Sequence, residues 1–483
     1  MEPEISLGTK AIQMPDANTG SSAAGDKAVS VAPAVHILPG VALAPSEPAL
    51  RKLSILWDIP IDRIRAWGLR GASSILQQGL FAGAHFATNV LLARWLSPVS
   101  YGAFALAYSL FLLPLAFYGA LFSEPMLVYG PGRHAGDFSS YIRILLRAHF
   151  LMLIPASLLI APLGLLLAQF YTREFKLALL SVIVMSPLLL LIWFSRGALY
   201  ARLNPHGSAV AGAFYFILLL FSVWLLRSTG NLSPASALVG MGIGSLLVSV
   251  GCLYRFRRTQ KGQLRPELKT ARVLSDHWRY GRWAVLTAIA VWIPANIFYA
   301  LLPGRFGLES VALLRALMNL MYPLLHTVTA IVLLLIPILV RQRETVGLQT
   351  MKRTVLQLVV LLVPVGILYL CFLVAFHGPI LRLVYAGRYS NVSAWTIAFV
   401  GLLPITGGVA GILGAALRAI ERPHLIFWGY LASTVMALVA GVPITLHYGV
   451  AGAAFALALD DLPAIAVIAL CLSGCGDTQV VPA

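Results

Sequence analysis

The sequence is short of charge. Asp, Glu, Lys and Arg make up 11% of its 483 residues, against roughly 25% in an ordinary soluble chain. Length alone would suggest about three soluble domains, and the charge deficit rejects them. Cysteine is scarce as well: Cys252, Cys371, Cys471 and Cys475 sit in or at the ends of apolar runs. Cys471 and Cys475 have no matching His or Cys cluster to complete a metal site, so neither a disulfide nor a metal is expected. No Walker A motif occurs, so the chain hydrolyses no nucleotide itself, and no cofactor is implied. A charged start followed by an apolar core and a cleavage site is missing too, so residues 1 to about 50, rich in Ala, Pro, Ser and Gly, read as a disordered tail and not a signal peptide.

What the chain has is apolar length. Hydrophobic residues make up 59%, in recurring runs of about twenty, each long enough to cross a bilayer core of about 30 Å as a helix. The reading is an all-α polytopic membrane protein with about twelve spans. They fall near 73–95, 102–124, 144–169, 177–200, 208–227, 235–254, 283–303, 311–340, 353–376, 393–417, 425–446 and 449–473. Arg51 to Arg70 mixes apolar and basic residues and reads as an amphipathic surface stretch interrupted by Pro60.

The net charge of +17 lies mostly in the short connections, nine Lys/Arg of it in the central loop 255–282. With the N-terminus inside, basic residues from Arg51 onward divide 25 inside to 8 outside, the bias that sets topology and meets anionic headgroups. Both termini are therefore expected in the cytosol. No basic domain lies outside the membrane, so membrane lipids and not nucleic acid are the expected partners. The connections outside are all short, without the paired carboxylates that a membrane polymerase or glycosyltransferase needs, which makes an enzyme the weaker class.

The halves repeat. Gly197-Ala-Leu-Tyr-Ala-Arg-Leu-Asn-Pro-His206 and Ala415-Ala-Leu-Arg-Ala-Ile-Glu-Arg-Pro-His424 share a pattern at an offset of 218. Asn89 to Pro114 aligns more loosely with Asn296 to Pro323. Six spans separate the copies, so both insert the same way up, as parallel six-helix repeats able to rock about a central cavity. The expected organisation is a tail over 1–70, a first bundle over 71–254, a basic linker over 255–282, a second bundle over 283–473 and a short tail over 474–483.

Polar groups inside spans are costly and therefore functional candidates. Gln78, His85 and Asn89 share one face of the first span, and Arg315, Asn319, Tyr322 and His326 share one face of the eighth. Interhelical hydrogen bonding with no ligand is the alternative for each, and snorkelling to the outer interface is the alternative for Arg315. Asp460 and Asp461 lie mid-way along the twelfth span before Pro463. Ion coupling, a structural salt bridge and a broken or re-entrant span are the three readings. Glu124 ends the second span before Pro125, either as a coupling group or as an ordinary helix-end residue. Arg143, Arg147 and His149 open the third span as topology charges or as a headgroup contact.

The stretch Asn89-Val-Leu-Leu-Ala-Arg-Trp-Leu-Ser-Pro-Val-Ser-Tyr-Gly-Ala-Phe104 resembles the first hairpin of the bacterial polysaccharide (O-antigen) flippases, the Wzx-like branch of the multidrug/oligosaccharidyl-lipid/polysaccharide (MOP) exporter superfamily. That family shows an Ala-Arg-x-Leu, a Pro and then a Tyr-Gly; Val99 and Ser100 stand where acidic residues are common. The resemblance implies a MATE/MOP-like fold at a bacterial inner membrane. It implies a flippase for polyprenyl-pyrophosphate-linked oligosaccharide, with a cationic cavity for the pyrophosphate, and other polysaccharide-assembly membrane proteins as candidate partners. On this reading Arg315 and Asn319, with His85, Asn89, His326 and Gln78, hold the headgroup, Arg94 and Arg418 being further candidates. Asp460, Asp461 and Glu124 are the candidates for coupling. The rivals are a cation-coupled drug antiporter of the same superfamily, a major-facilitator transporter, and an oligosaccharide polymerase or ligase. The first would want acidic residues deep in the first bundle. The second would want Gly-x-x-x-Asp-Arg-x-Gly-Arg where this chain reads Tyr129-Gly-Pro-Gly-Arg-His-Ala-Gly-Asp137.

Overall fold

Proline and glycine punctuate the helices. The computed structural model describes residues 61–131, 133–134, 136–151, 162, 172–202, 205–258, 268–422 and 424–475. The expectations for the tail before residue 61, the second half of the third span, loop residues 259–267 and the tail after 475 lie outside the described residues. The first helix, Ile61–Trp95, starts directly after Pro60, so residues 61–70 run on into the first span and form no separate surface helix.

The second helix, Pro98–Tyr118, opens on Ser97, whose hydroxyl accepts from the Ser100 N–H, with Pro98 at the first helical position, where its missing donor costs nothing. It passes through a π-helical turn, Gly119–Ser123, into Glu124–Tyr129. Phe138–Leu151 begins the third span; Arg173–Ala201, Pro205–Ser228 and Pro234–Arg258 are the fourth to sixth. Thr270–Val346 holds the seventh and eighth spans, broken at Gly307 (φ 73°), and Leu348–Tyr385 and Ala394–Ala419 are the ninth and tenth. The eleventh, His424–Met436, continues through a second π-helical turn, Ala437–Gly441, into Val442–Ser473, where Gly449 (φ 61°) turns the chain into the twelfth. Positive φ is a conformation that only glycine adopts without strain, and it lets these two hairpins close without a loop. No strand occurs among the described residues.

The repeat is visible in packing. Tyr215 of the fifth span stacks on Phe81 of the first at 5.1 Å, and Thr434 of the eleventh donates to the Ala290 carbonyl of the seventh at 2.7 Å. The second helix packs on the fourth and the fourth on the sixth. In the other half Val332 of the eighth meets Gly411 of the tenth, and Thr406 of the tenth bonds Asp461 of the twelfth. Asn89 and Asn296 make the same local bond, each amide donating to the carbonyl four residues earlier, at 2.8 and 3.1 Å. The fourth and tenth helices end at Ala201 and Ala419, 218 residues apart. This is the all-α fold of two parallel six-helix repeats that the sequence suggested.

Candidate functional site

The halves meet where the eighth span crosses the second. Gly102 lies so close to the Leu308 carbonyl that a side-chain carbon there would overlap the backbone. This is the small-residue approach that membrane helices use in place of a hydrophobic driving force. It gives the Tyr101-Gly102 pair two separate jobs: Gly102 admits the neighbouring backbone, and Tyr101 joins a buried polar network.

That network centres on Arg315, which is 4% exposed. Its Nε donates to Asn89 Oδ1 at 3.2 Å, and Tyr101 also donates to Asn89 Oδ1, at 3.5 Å. Asn319 Nδ2 donates to the Tyr101 hydroxyl at 3.0 Å. The guanidinium lies 5.4 Å from the ring centres of both Tyr108 and Tyr322, a cation–π distance. Tyr108 reaches His85 Nδ1 at 3.5 Å, and Tyr322 packs on His326 with ring centres 5.6 Å apart. Four of the residues picked from sequence, Arg315, Asn319, His85 and Asn89, thus converge, with His326 one turn beyond Tyr322. Snorkelling is overturned for Arg315: its charge points between the halves, about 12 Å along the helix from Gly307 at 1.5 Å per residue.

The ion pairs among the described residues are Arg133–Asp276, Arg279–Asp276 and Arg343–Glu421. Among the described residues Arg315 is therefore neutralised by no carboxylate, and its charge is held by amide oxygen and ring faces. Hydrogen-bonding capacity is also left over. His85 Nε2 and Asn319 Oδ1 are buried and accept or donate nothing among the described residues. Buried polar atoms are normally satisfied, so unsatisfied ones beside a cation with no carboxylate partner among the described residues fit an anionic, hydroxyl-rich ligand.

Gln78 lies elsewhere on the first span: its Oε1 accepts from Arg196 Nη2 at 3.1 Å, and the Arg196 guanidinium sits 3.7 Å above Phe81 and 5.0 Å from Trp193. Sequence reasoning counted Arg196 as a topology charge in the connections, and it is buried. It also missed the tyrosine cage, whose signal was available as Tyr101 and Tyr108, seven apart on one face of the second helix. Arg94 is exposed and stands outside the network. Glu124 and Arg418 are exposed too, near enough for the Arg418 charge to act on the carboxylate.

Asp460 is 5% exposed, and its Oδ2 accepts no hydrogen bond among the described residues. Asp461 accepts from Thr406 Oγ1 at 3.2 Å. Neither forms a salt bridge among the described residues, and the helix runs unbroken from Gly449 past both to Ser473. The unbroken helix sets aside the broken or re-entrant reading.

At the far end of the second helix, Pro125 has no N–H to offer the Leu121 carbonyl. His277 takes that acceptor through Nδ1 at 2.9 Å, which leaves Nε2 to receive the Tyr141 hydroxyl at 2.7 Å. Asp276 beside it pairs with Arg133 and Arg279 at 2.8 Å each. Burial holds the His277 pKa below the usual histidine value, and it does the same for His134, whose ring stacks on Tyr141. The linker helix ahead of the seventh span is thus latched to the first half. Of the three residues expected together at the start of the third span, Arg143 and Arg147 are exposed. His149 turns inward to Tyr118 at 2.9 Å.

No protein-family model matches the chain, and no curated protein sequence does. Solved structures do match. An inward-facing multidrug-resistance MATE transporter of the MOP superfamily superposes with a TM-score of 0.68 at 13% identity, over 83% of this chain and 96% of that one. A MOP superfamily transporter from Pyrococcus furiosus, described as having a binding pocket of reversed polarity, gives 0.63 at 13% over 84% and 95%. The lipid II flippase MurJ, in an inward closed conformation, gives 0.61 at 14% over 84% and 87%. At these identities the likeness establishes the fold, which is of the MATE/MOP type.

Proposed function

We propose that this chain is an alternating-access transporter that moves a polyprenyl-pyrophosphate-linked oligosaccharide from the cytosolic to the outer leaflet of a bacterial inner membrane. The single observation that carries this reading is Arg315: a buried cation between the two repeats, paired with no carboxylate among the described residues and ringed by tyrosines and amides. A pyrophosphate supplies the missing negative charge, and sugar hydroxyls match His85 Nε2 and Asn319 Oδ1. The lipid tail stays in the bilayer while the headgroup exchanges its hydration for this polar lining. Solved transporters of the same fold include a lipid II flippase, which supports a lipid-linked substrate, and drug transporters, which support the rival.

In this account residues 71–254 and 283–473 are the rocking units, 255–282 is the cytosolic connection, both termini lie in the cytosol, and partner polysaccharide-assembly proteins receive the product. The chain acts without chemistry of its own. Asp460, with its unsatisfied oxygen, is the group assigned to ion coupling, and it is also the observation that favours the antiporter. Binding separates the readings. Purified protein titrated with polyprenyl pyrophosphate should bind it more tightly than the monophosphate. Arg315→Ala should erase the difference and Arg315→Lys should keep part of it. Equal binding of both lipids by the unmodified protein would end the pyrophosphate assignment.

A further inference from the structure

A second candidate site lies away from Arg315, on the membrane face of the first half. The fourth, fifth and sixth spans border a groove of about 580 Å³ that is mostly apolar, with Phe214 and Leu247 on its walls. Its basic side chains gather at one end. Arg202 closes the fourth helix, His206 lies in the first turn of the fifth, and Arg255 lies in the last turn of the sixth. No acidic residue is among its described lining. The long walls run from that end toward the middle of the span, because Phe214 and Leu247 are each eight residues, or about 12 Å, further along their helices than His206 and Arg255. Gly251 opens the groove: a carbon added there meets nothing within 4 Å.

We infer that this groove holds one anionic phospholipid, its phosphate between Arg202 and Arg255 and an acyl chain along Phe214 and Leu247. Charge complementarity selects the occupant. A zwitterionic lipid fills the apolar walls equally well but brings no net charge to the two guanidiniums, whereas an anionic headgroup meets both within the interfacial layer. The groove opens at the end of the bundle that carries the excess of Lys and Arg, which is the leaflet where anionic lipids concentrate. The inference stands apart from the transported substrate and needs no role for Arg315.

The test is native mass spectrometry of the full chain, delipidated in detergent and titrated with phosphatidylglycerol or phosphatidylethanolamine of the same acyl composition. The unmodified protein should retain one phosphatidylglycerol in preference. Arg202→Gln with Arg255→Gln should lower that retention by about twenty-five-fold, about fivefold for each charge. Gly251→Phe should fill the groove and displace the lipid with both arginines intact, while Gly251→Ala, small enough to fit, should retain it. Equal retention of the two lipids would overturn the inference, and so would phosphatidylglycerol retention unchanged by Gly251→Phe. Displacement of the lipid by inorganic phosphate alone would overturn it as well, since the apolar walls would then contribute nothing.

Discussion

Gly102→Ala isolates the contact that closes the two repeats over Arg315. Within a helix the substitution is favourable by about 1 kcal/mol, because alanine loses less backbone freedom than glycine. Any destabilisation must therefore come from the neighbour, and here the neighbour is backbone: the added carbon would overlap the Leu308 carbonyl, which has no rotamer to move. Overpacking of this kind costs about 1–3 kcal/mol. In the state where the second and eighth spans part, nothing opposes the methyl and the helix-propensity gain remains. The equilibrium should move toward that open state by roughly 5- to 150-fold. A cysteine at Ser310, which is 8% exposed in the closed form, reports it once the four native cysteines are removed. An impermeant maleimide added outside should label Ser310→Cys at least about fivefold faster in the Gly102→Ala background. An unchanged rate in folded, membrane-inserted protein would refute the claim that this contact holds the end closed.

Arg315→Met should leave the protein at least as stable as before. The hydrogen bond lost to Asn89 is worth about 1.5–3 kcal/mol, and releasing an unpaired buried charge returns several kcal/mol. Transport should be abolished, so a melting temperature that falls together with activity would mark Arg315 as structural instead. The linker latch should weaken on acidification. His277 and His134 have folded pKa values below 6.5, so the undocked state binds the extra protons. The stabilisation is complete above the ordinary histidine value and is lost as pH falls toward the folded values. Hydrogen exchange over residues 270–282 should accelerate between neutral pH and pH 5, after correction for intrinsic rates, and His277→Gln should flatten that dependence. Asp460→Asn removes the charge of a carboxylate whose Oδ2 accepts no bond among the described residues. Stability should hold or rise, while transport should lose its response to an imposed ion gradient; a retained response would exclude Asp460 from coupling.

Twelve spans and a parallel repeat were legible because hydrophobic length and a 218-residue echo are local properties of sequence. Gly307 and Gly449, which turn two hairpins with no loop, were harder to see because the apolar runs on either side nearly touch. The Arg315–Asn319 face and the His85–Asn89 face were each readable from helical spacing, as polar groups in apolar helices, while their meeting was expected only from the family resemblance. Arg196 escaped because a basic residue near a helix end reads as a topology charge, and only the fold shows Phe81 and Gln78 drawn over it. The latch escaped for a different reason. It depends on a carbonyl freed by Pro125 being met by His277, 152 residues later, and no periodicity records that encounter.

The most direct test of the central claim is to deplete the protein in its own host and determine on which side lipid-linked oligosaccharide accumulates, using an impermeant glycosidase on intact spheroplasts. The account predicts a build-up of intermediates that the enzyme cannot reach until the membrane is opened. Build-up of single units already accessible from outside would contradict it and point to a failed polymerisation or ligation step. No build-up at all would contradict it as well, in favour of small-molecule antiport.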